Sequence, residues 1–151
     1  MTMDILEHLE EEHRKVEKMI ADLEATQTFD EREPILAELG DSLSKHMDVE
    51  EERLYPIVDE RLGSSKAREA QEEHDTARDD VAQLVESADT DGFAAALAQF
   101  KTDISHHVSE EENEMFPQLR ERAADDIAAL GDPEQLEDEV EEDLADEGIT
   151  A

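Results

Sequence analysis

Apolar residues recur along the chain at intervals of three and four, and no stretch alternates in the two-residue manner of a strand. The pattern predicts an all-α fold. A first helix is expected from about Met3 to Ala25, followed by a polar break over 26–30. The apolar stripe of this helix consists of Ile5, Leu9, Val16, Ile20 and Leu23.

A second helix is predicted to begin at Asp30. Glu33 follows three residues later, as in a capping box, and Pro34 lies just inside the expected helix. Gly63 is the expected end of this helix. The apolar positions of the second helix are Ile35, Leu39, Leu43, Leu54 and Val58.

Two further helices complete the pattern. Ser64 or Ser65 is expected to cap the third helix, which runs to about Ala88, and a turn covers 89–92. The fourth helix is predicted from Phe93 to about Leu130. Four helices joined by short turns predict an antiparallel up-down-up-down four-helix bundle over residues 1–130.

The C-terminal segment, residues 131–151, differs from the rest of the chain. A helix stop at Gly131 precedes a possible new cap at Asp132, and the main apolar residues beyond it are Leu136, Val140 and Leu144. Most of the other residues are acidic. A short amphipathic helix and a disordered acidic tail are both open alternatives, and the composition favours partial disorder.

The net charge of the protein restricts the kinds of molecule that it can bind. The chain has 151 residues, of which 46 are acidic and 13 basic, so its formal net charge is -33. Nucleic acid and anionic membranes would repel such a surface. Self-repulsion of this size favours a halophilic protein, as expected of a halophilic archaeon, because concentrated salt screens the charges. An acidic protein of an ordinary cytosol is the alternative.

Cysteine is absent. Disulfides, thiolate metal sites and cysteine nucleophiles are therefore excluded, and any metal must be held by imidazole and carboxylate groups. The sequence also shows neither an apolar run of membrane-spanning length nor the features of a signal peptide. These features predict a soluble, cytoplasmic protein.

The chain contains an internal repeat with an offset of 61 residues. Glu11-Glu12-His13 aligns without a gap with Glu72-Glu73-His74. Four further residues, His46, Glu50, Glu51 and Pro56, align with His107, Glu111, Glu112 and Pro117. The shared residues are potential metal ligands, carboxylates beside them, or a closing proline, so the repeat indicates two half-sites.

The spacing between the histidines and glutamates supports a metal site. Four helical residues turn the chain by only about 40° net, so His46 and Glu50 share one helix face, as do His107 and Glu111. Glu50 and His74 lie at similar distances on either side of Gly63, which brings them to nearly the same height. The histidines then lie one per helix near the middle of the bundle. The expected metal ligands are His13, His46, Glu50, His74, His107 and Glu111.

Four other residues near these positions are less suited to bind the metal. His106 also has a glutamate four residues later, but the repeat aligns it with Lys45, so His107 is favoured. His8 lies about 140° around the helix from His13 and is expected at the surface. Glu51 and Glu112 point about 100° away from the ligand face and are expected at the surface or behind the ligands.

The two copies, HMDVEEERLYP at 46–56 and HVSEEENEMFP at 107–117, together with the Glu-Glu-His openings, resemble the hemerythrin-like, or His-His-Glu cation-binding, domain. The resemblance covers roughly residues 3–125. It implies a four-helix bundle around two non-haem iron ions with an oxo, hydroxo or water bridge. Iron is expected ahead of manganese or zinc.

The resemblance also implies a division of ligands. His13 and His46 would bind one iron, His74 and His107 the other, and the two glutamates of the ligand set would bridge them. Oxygen-carrying hemerythrins have a further histidine where this chain has Arg78. Glu17 occupies the equivalent place in the first copy and is a candidate extra ligand, although a solvated Glu17 paired with a lysine is the commoner outcome.

Three functions remain open. The first is a di-iron protein that binds or senses oxygen, nitric oxide or iron. The second is a di-iron enzyme acting on peroxide or nitric oxide, or in iron-centre repair. The third is a metal-free or zinc-bound acidic helical interaction protein. The expected partner is a small diatomic ligand or peroxide, and the protein is expected to be a monomer or a homodimer. The missing histidine favours redox chemistry or sensing over reversible oxygen carriage.

Overall fold

The computed structural model describes residues 3–147, and all of their regular secondary structure is helical. Two π-helical turns, Glu50–Leu54 and Glu111–Met115, interrupt the chain of α-helices. The α-helices are α1 (Ile5–Glu24), α2 (Phe29–Val49), α3 (Tyr55–Arg61), α4 (Ser64–Ser87), α5 (Phe93–Glu110), α6 (Phe116–Arg122), α7 (Ala124–Ala129) and α8 (Pro133–Asp146). None of the helices in this part of the chain is long and apolar enough to cross a membrane.

Helix α2 begins earlier than predicted. Thr28 is its cap: the Thr28 side chain accepts from the backbone N–H of Glu31, and the Glu31 carboxylate accepts from that of Thr28. The predicted cap, Asp30, lies in the first turn instead, where its negative charge is favourable at the helix N-terminus. Pro34 is consequently inside the helix.

Helix α4 begins without a side-chain cap. Its first residue is Ser64, and Gly63 precedes it with φ at 114°. Residues with a Cβ rarely adopt this angle, so the glycine allows the sharp reversal between α3 and α4. The prediction that Ser64 or Ser65 caps this helix is therefore wrong.

The predicted second and fourth helices are each interrupted by a π-helical turn that begins at a glutamate of the expected ligand set. The turns end just before Pro56 and Pro117, which lie in the first turns of α3 and α6. A proline has no N–H to donate to the carbonyl four residues earlier, so the α-helical ladder has to change there. The wider turn accommodates this loss and places the glutamate at its start.

The predicted fourth helix is also broken near its end. Helix α6 ends at Arg122, and Ala123 adopts φ -136° and ψ 27°, outside the helical region. Ala123 and Ile127 are both buried, so the break turns α7 toward the core. The sequence at 123–124 is Ala-Ala, which carries no breaking signal.

The C-terminal segment forms helix α8 where partial disorder was favoured. Asp132 caps it by accepting from the backbone N–H of Gln135 at 3.1 Å. Leu136, Val140 and Leu144 lie one turn apart and are buried. They join an apolar cluster that contains residues of α1, α3 and α6. The helical alternative therefore describes Pro133–Asp146, while residues 148–151 of the predicted tail lie outside the described residues.

Two apolar clusters fill the core, one on each side of a polar layer. Along α1, Ile5, Leu6 and Leu9 belong to the first cluster, His13 follows, and Val16 and Ile20 belong to the second. Helix α1 packs against α2 and α5, and α4 packs against the same two helices. The polar layer consists of His13, His46, Glu50, His74, His107 and Glu111, each between 0 and 4 % exposed.

Candidate metal centre

The six residues expected as metal ligands lie together in the polar layer. One histidine comes from each of α1, α2, α4 and α5, and the two glutamates are the first residues of the π-helical turns. The imidazoles form two pairs, with ring centroids 4.9 Å apart in His13–His46 and 4.8 Å apart in His74–His107. The structure therefore separates the histidines into the same pairs that the repeat indicated.

Each histidine pair and both glutamates form a group that could hold a metal ion. Within each group the four ligand atoms lie within 4.8 Å of one another. Separations of this order are those expected of atoms that surround a single ion. The first group is His13, His46, Glu50 and Glu111, and the second is Glu50, His74, His107 and Glu111.

Both glutamates bridge the two histidine pairs. Glu50 Oε1 lies 3.0 Å from His46 Nε2 and 3.0 Å from His74 Nε2. Glu111 Oε1 lies 3.2 Å from His13 Nε2, and its Oε2 lies 3.4 Å from His107 Nε2. Each carboxylate thus contacts one histidine of each pair, which is the arrangement that two neighbouring cations require of a shared ligand.

Several polar atoms of this layer have no hydrogen-bond partner among the described residues. They include His13 Nε2, Glu50 Oε2 and Glu111 Oε1, and all are buried. The contact of 3.2 Å between His13 Nε2 and Glu111 Oε1 lacks hydrogen-bond geometry. Buried, unpaired polar atoms are costly, and those of imidazole and carboxylate are metal-binding atoms. The residues therefore fit a bound cation.

The other ring nitrogen of every buried histidine contacts an outer carboxylate. His46 and His107 contact the repeat equivalents Glu12 and Glu73, at 2.9 and 2.7 Å. His13 and His74 contact Glu112 and Glu51, at 2.6 and 2.7 Å.

An ionised carboxylate only accepts hydrogen bonds, so Nδ1 of each buried histidine is the donor. In the neutral imidazole, Nε2 then carries the lone pair and points into the centre. Outer carboxylates of this kind fix the orientation of metal-binding histidines and make them more basic. Of the two places expected for Glu51 and Glu112, the surface or a position behind the ligands, the structure shows the second.

The buried histidines and carboxylates change one another's pKa values. Burial disfavours the charged form of His46, but the negative charge of Glu50 and hydrogen bonds to Glu12 and Glu50 outweigh it and raise the pKa of His46 to about 10. The pKa of His107 is also raised, since Glu111 and Glu73 outweigh its burial. The Glu111 carboxyl is buried as well, but His107 and other partners lower its pKa. Without a metal, protons therefore balance the buried carboxylates.

One arginine contacts an outer carboxylate behind each histidine pair. The two arginines do not occupy equivalent positions in the repeat. Arg78 Nη2 lies 2.7 Å from Glu51 Oε2. Arg14 contacts Glu112 and also pairs with Glu17 at 3.5 Å. Glu17 is 49 % exposed and does not reach the six buried residues. Arg14 and Glu17 align with Asp75 and Arg78, so the exchange of charge keeps one guanidinium beside Glu112 and one beside Glu51.

His106 lies outside the six-residue group. Its side chain is 66 % exposed, and its Nε2 lies 3.0 Å from Glu110 and 3.4 Å from Glu73. His8, expected at the surface, is partly buried, with Nε2 at 2.9 Å from Glu137 and 3.3 Å from Glu12. The charges of Glu12 and Glu137 and their hydrogen bonds raise the pKa of His8 to about 9, although burial opposes this.

Tyr55 is a residue of the centre that sequence reasoning missed. Its hydroxyl donates to Glu111 Oε2 at 2.7 Å and lies 2.8 Å from His74 Nε2. Burial and the nearby Glu111 and Glu50 carboxylates raise the pKa of Tyr55 well above its usual value, so the hydroxyl keeps its proton. The available signal was its place directly before Pro56, where the second copy has Phe116.

Comparison with protein families agrees with this geometry. The family model for the hemerythrin HHE cation-binding domain matches residues 4–119, a range that contains all six buried residues. Comparison with curated proteins and with solved structures found no significant match. The buried groups of histidine and glutamate are able to hold metal ions. The chain belongs to the hemerythrin HHE cation-binding domain family.

Proposed function

We propose that the protein holds a non-haem di-iron centre and binds or senses oxygen, nitric oxide or iron. In this proposal one iron is bound by His13 and His46 and the other by His74 and His107, while Glu50 and Glu111 bridge the two. The observation that carries the proposal is the pair of four-residue groups that share both glutamates. The iron pair would supply reversible redox chemistry and open coordination positions.

The proposed fold is the antiparallel up-down-up-down four-helix bundle. Its support is the ring of contacts in which α1 and α4 each pack against both α2 and α5. Each of these helices contributes one histidine to the polar layer. The two apolar clusters cover the centre toward the two ends of the helices.

The residues of the chain have three roles in this centre. The four histidines bind through Nε2, because their Nδ1 atoms donate to outer carboxylates. The glutamates offset the charge of the cations. Tyr55 holds a proton at the His74–His107 side, within reach of Glu111.

Tyr55 also favours a second candidate, a di-iron enzyme that acts on peroxide or nitric oxide. A buried hydroxyl that remains protonated is a positioned proton donor. Peroxide turnover by the iron-loaded protein would favour the enzyme over the sensor. Loss of that turnover in Tyr55→Phe, with the iron content unchanged, would assign the proton to this hydroxyl.

The proposal is tested by purifying the protein aerobically in concentrated salt, counting iron per chain and recording absorption with and without azide. We expect about two irons per chain and near-ultraviolet bands that azide alters. Protein without metal, or with zinc in stoichiometric amount, would contradict the di-iron proposal and favour the acidic interaction protein.

Two variants and one control sharpen this test. His46→Ala and Glu111→Ala should abolish the bands if the two half-sites depend on each other, whereas loss of a single iron would show independent sites. His106→Ala is the matched control, because His106 is adjacent in sequence to His107 yet exposed. This control should retain about two irons per chain.

A further inference from the structure

A small cleft of about 40 Å³ reaches the candidate centre between α4 and the α5–α6 segment. Two of its lining residues, His107 and Glu111, belong to the buried six. The outer part of the cleft is lined by one positive side chain, that of Lys66, and by four carboxylates. These carboxylates belong to Glu69, Glu73, Glu110 and Glu114.

The buried side of the cleft is lined by Glu111, a glutamate that has one unpartnered carboxylate oxygen. Glu111 is 1 % exposed, and its Oε1 has no hydrogen-bond partner among the described residues. A buried oxygen of this kind favours a positively charged ligand. The cleft therefore joins an acidic opening to a buried carboxylate of the candidate metal centre.

Glu73 connects the opening to the centre. Its Oε2 lies 3.4 Å from Nε2 of the exposed His106, which in turn lies 3.0 Å from Glu110. Glu73 Oε1 accepts from His107 Nδ1 at 2.7 Å. The three outer residues, Glu73, His106 and Glu110, form a further group of possible ligand atoms within 4.8 Å of one another.

The repeat places an equivalent cleft on the opposite side, and there it is covered. The counterparts of Ala70, Glu110 and Met115 are Leu9, Val49 and Leu54. These apolar residues share one buried cluster with Leu136, Val140 and Leu144 of α8.

Polar contacts also hold α8 over this side. Arg53, the counterpart of Glu114, pairs with Asp143, and Glu137 Oε1 lies 2.9 Å from His8 Nε2. Of the four cleft carboxylates, only that of Glu73 has an acidic counterpart on the covered side, because Glu69, Glu110 and Glu114 correspond to His8, Val49 and Arg53.

We infer that divalent cations reach the centre through the cleft lined by Glu69, Glu73, Glu110 and Glu114, with Glu73, His106 and Glu110 as a transient cation site at its opening, while α8 closes the equivalent route. The inference rests on the proposed metal centre. The acidic lining concentrates cations at the opening, and Glu73 passes them toward His107 and Glu111. The ligand class is a hydrated divalent cation such as Fe²⁺, for which Co²⁺ is a suitable probe.

The test is the rate at which the metal-free, full-length chain takes up Co²⁺, followed by stopped-flow absorption under anaerobic conditions. Glu110→Gln/Glu114→Gln should slow uptake by at least about five-fold, because acidic clefts raise association rates by about ten-fold or more. Glu38→Gln/Glu86→Gln is the matched control, since it removes the same charge from exposed positions outside the cleft. The control should load within about two-fold of the wild-type rate.

A single substitution gives a second measurement. Glu114→Arg introduces the residue found at the covered counterpart, Arg53. It changes the charge of the cleft by the same two units as the double glutamine variant, so it should slow uptake by a similar factor, and added salt should reduce both effects. Circular dichroism melting curves that match the wild type would show that each variant is folded.

The outcomes separate the two proposals. A wild-type chain that takes up no Co²⁺ would contradict the proposed metal centre. A wild-type chain that binds two ions, together with cleft variants that load at the wild-type rate, would overturn the cation route alone. Slow loading to the same final stoichiometry in the cleft variants would support it.

Discussion

The Tyr55 hydroxyl donates a hydrogen bond of 2.7 Å to Oε2 of Glu111, a residue contributed by the other half of the repeat. The repeat counterpart of Tyr55 is Phe116, whose ring stacks on His13 with centroids 6.2 Å apart. The two halves of the centre therefore differ: one has a protonated hydroxyl beside its histidines, and the other has an apolar ring.

Tyr55→Phe is predicted to retain the metals and to change the His74–His107 side selectively. The substitution removes one buried hydrogen bond and should lower the free energy of unfolding by about 1–2 kcal/mol. Iron content should stay at the wild-type value, while the absorption bands shift. Urea denaturation and metal analysis measure the two effects. An unchanged spectrum would show that the hydroxyl does not influence the centre.

Removing the charge of an outer carboxylate is predicted to weaken metal binding on one side. Glu51→Gln affects His74, and Glu112→Gln is the equivalent change behind His13. Each should reduce the affinity of its own half-site by about 10–100-fold, because the histidine becomes less basic and less firmly oriented.

Competition with a chelator during Co²⁺ titration measures this loss. Glu52→Gln is the control, since Glu52 is next in sequence to Glu51 but contacts none of the buried histidines. Equal weakening of both half-sites by either variant would contradict a local effect and would point to strong coupling between the two ions.

The metal-free protein is predicted to lose stability as the pH rises from about 6.5 to about 10. The pKa of His46 rises from 6.5 to about 10 in the folded chain, so within this window the folded state binds a proton that the unfolded state has lost. The stabilisation is complete below pH 6.5 and declines toward pH 10. Urea unfolding of the metal-free chain at several pH values measures the decline.

The raised pKa of His46 also predicts how metal affinity changes with pH. A cation at His46 must displace the proton, so its apparent affinity should increase with pH over that window. Isothermal titration in buffers of different ionisation enthalpy should detect proton release. Affinity that is independent of pH would show that His46 is neutral before the metal binds.

Periodicity and the repeat predict the helical fold and the six buried residues that the structure brings together. The positions of His46 and Glu50 follow from spacing alone, since four residues return to the same helix face. The π-helical turn at Glu50 cannot be predicted from spacing, because a single widened turn is too short to change the spacing of apolar residues recognisably. The only local sign is Pro56, which removes a backbone donor.

Contacts between segments that are distant in sequence explain the other differences between the predicted and the observed structure. Tyr55 meets Glu111 across the centre, and no local pattern pairs residues that are 56 positions apart. Helix α8 has only three strongly apolar positions in its stripe, so its composition indicated disorder. Its order comes from the cluster formed with Leu9 and Leu54, which exists only after the rest of the chain has folded.

Helix α8 is predicted to unfold together with the rest of the chain, although the sequence suggested a separate tail after residue 130. Leu136 is buried in the cluster that also contains Ile5, Val58 and Phe116. Leu136→Ala should lower the free energy of unfolding by about 2–5 kcal/mol, through lost burial and the cavity that remains. Asp138→Ala, at an exposed position of the same helix, is the control and should change it by about 0.5 kcal/mol or less. A single urea transition that moves to lower urea in Leu136→Ala would show one cooperative unit, whereas a separate early transition would show that α8 unfolds alone.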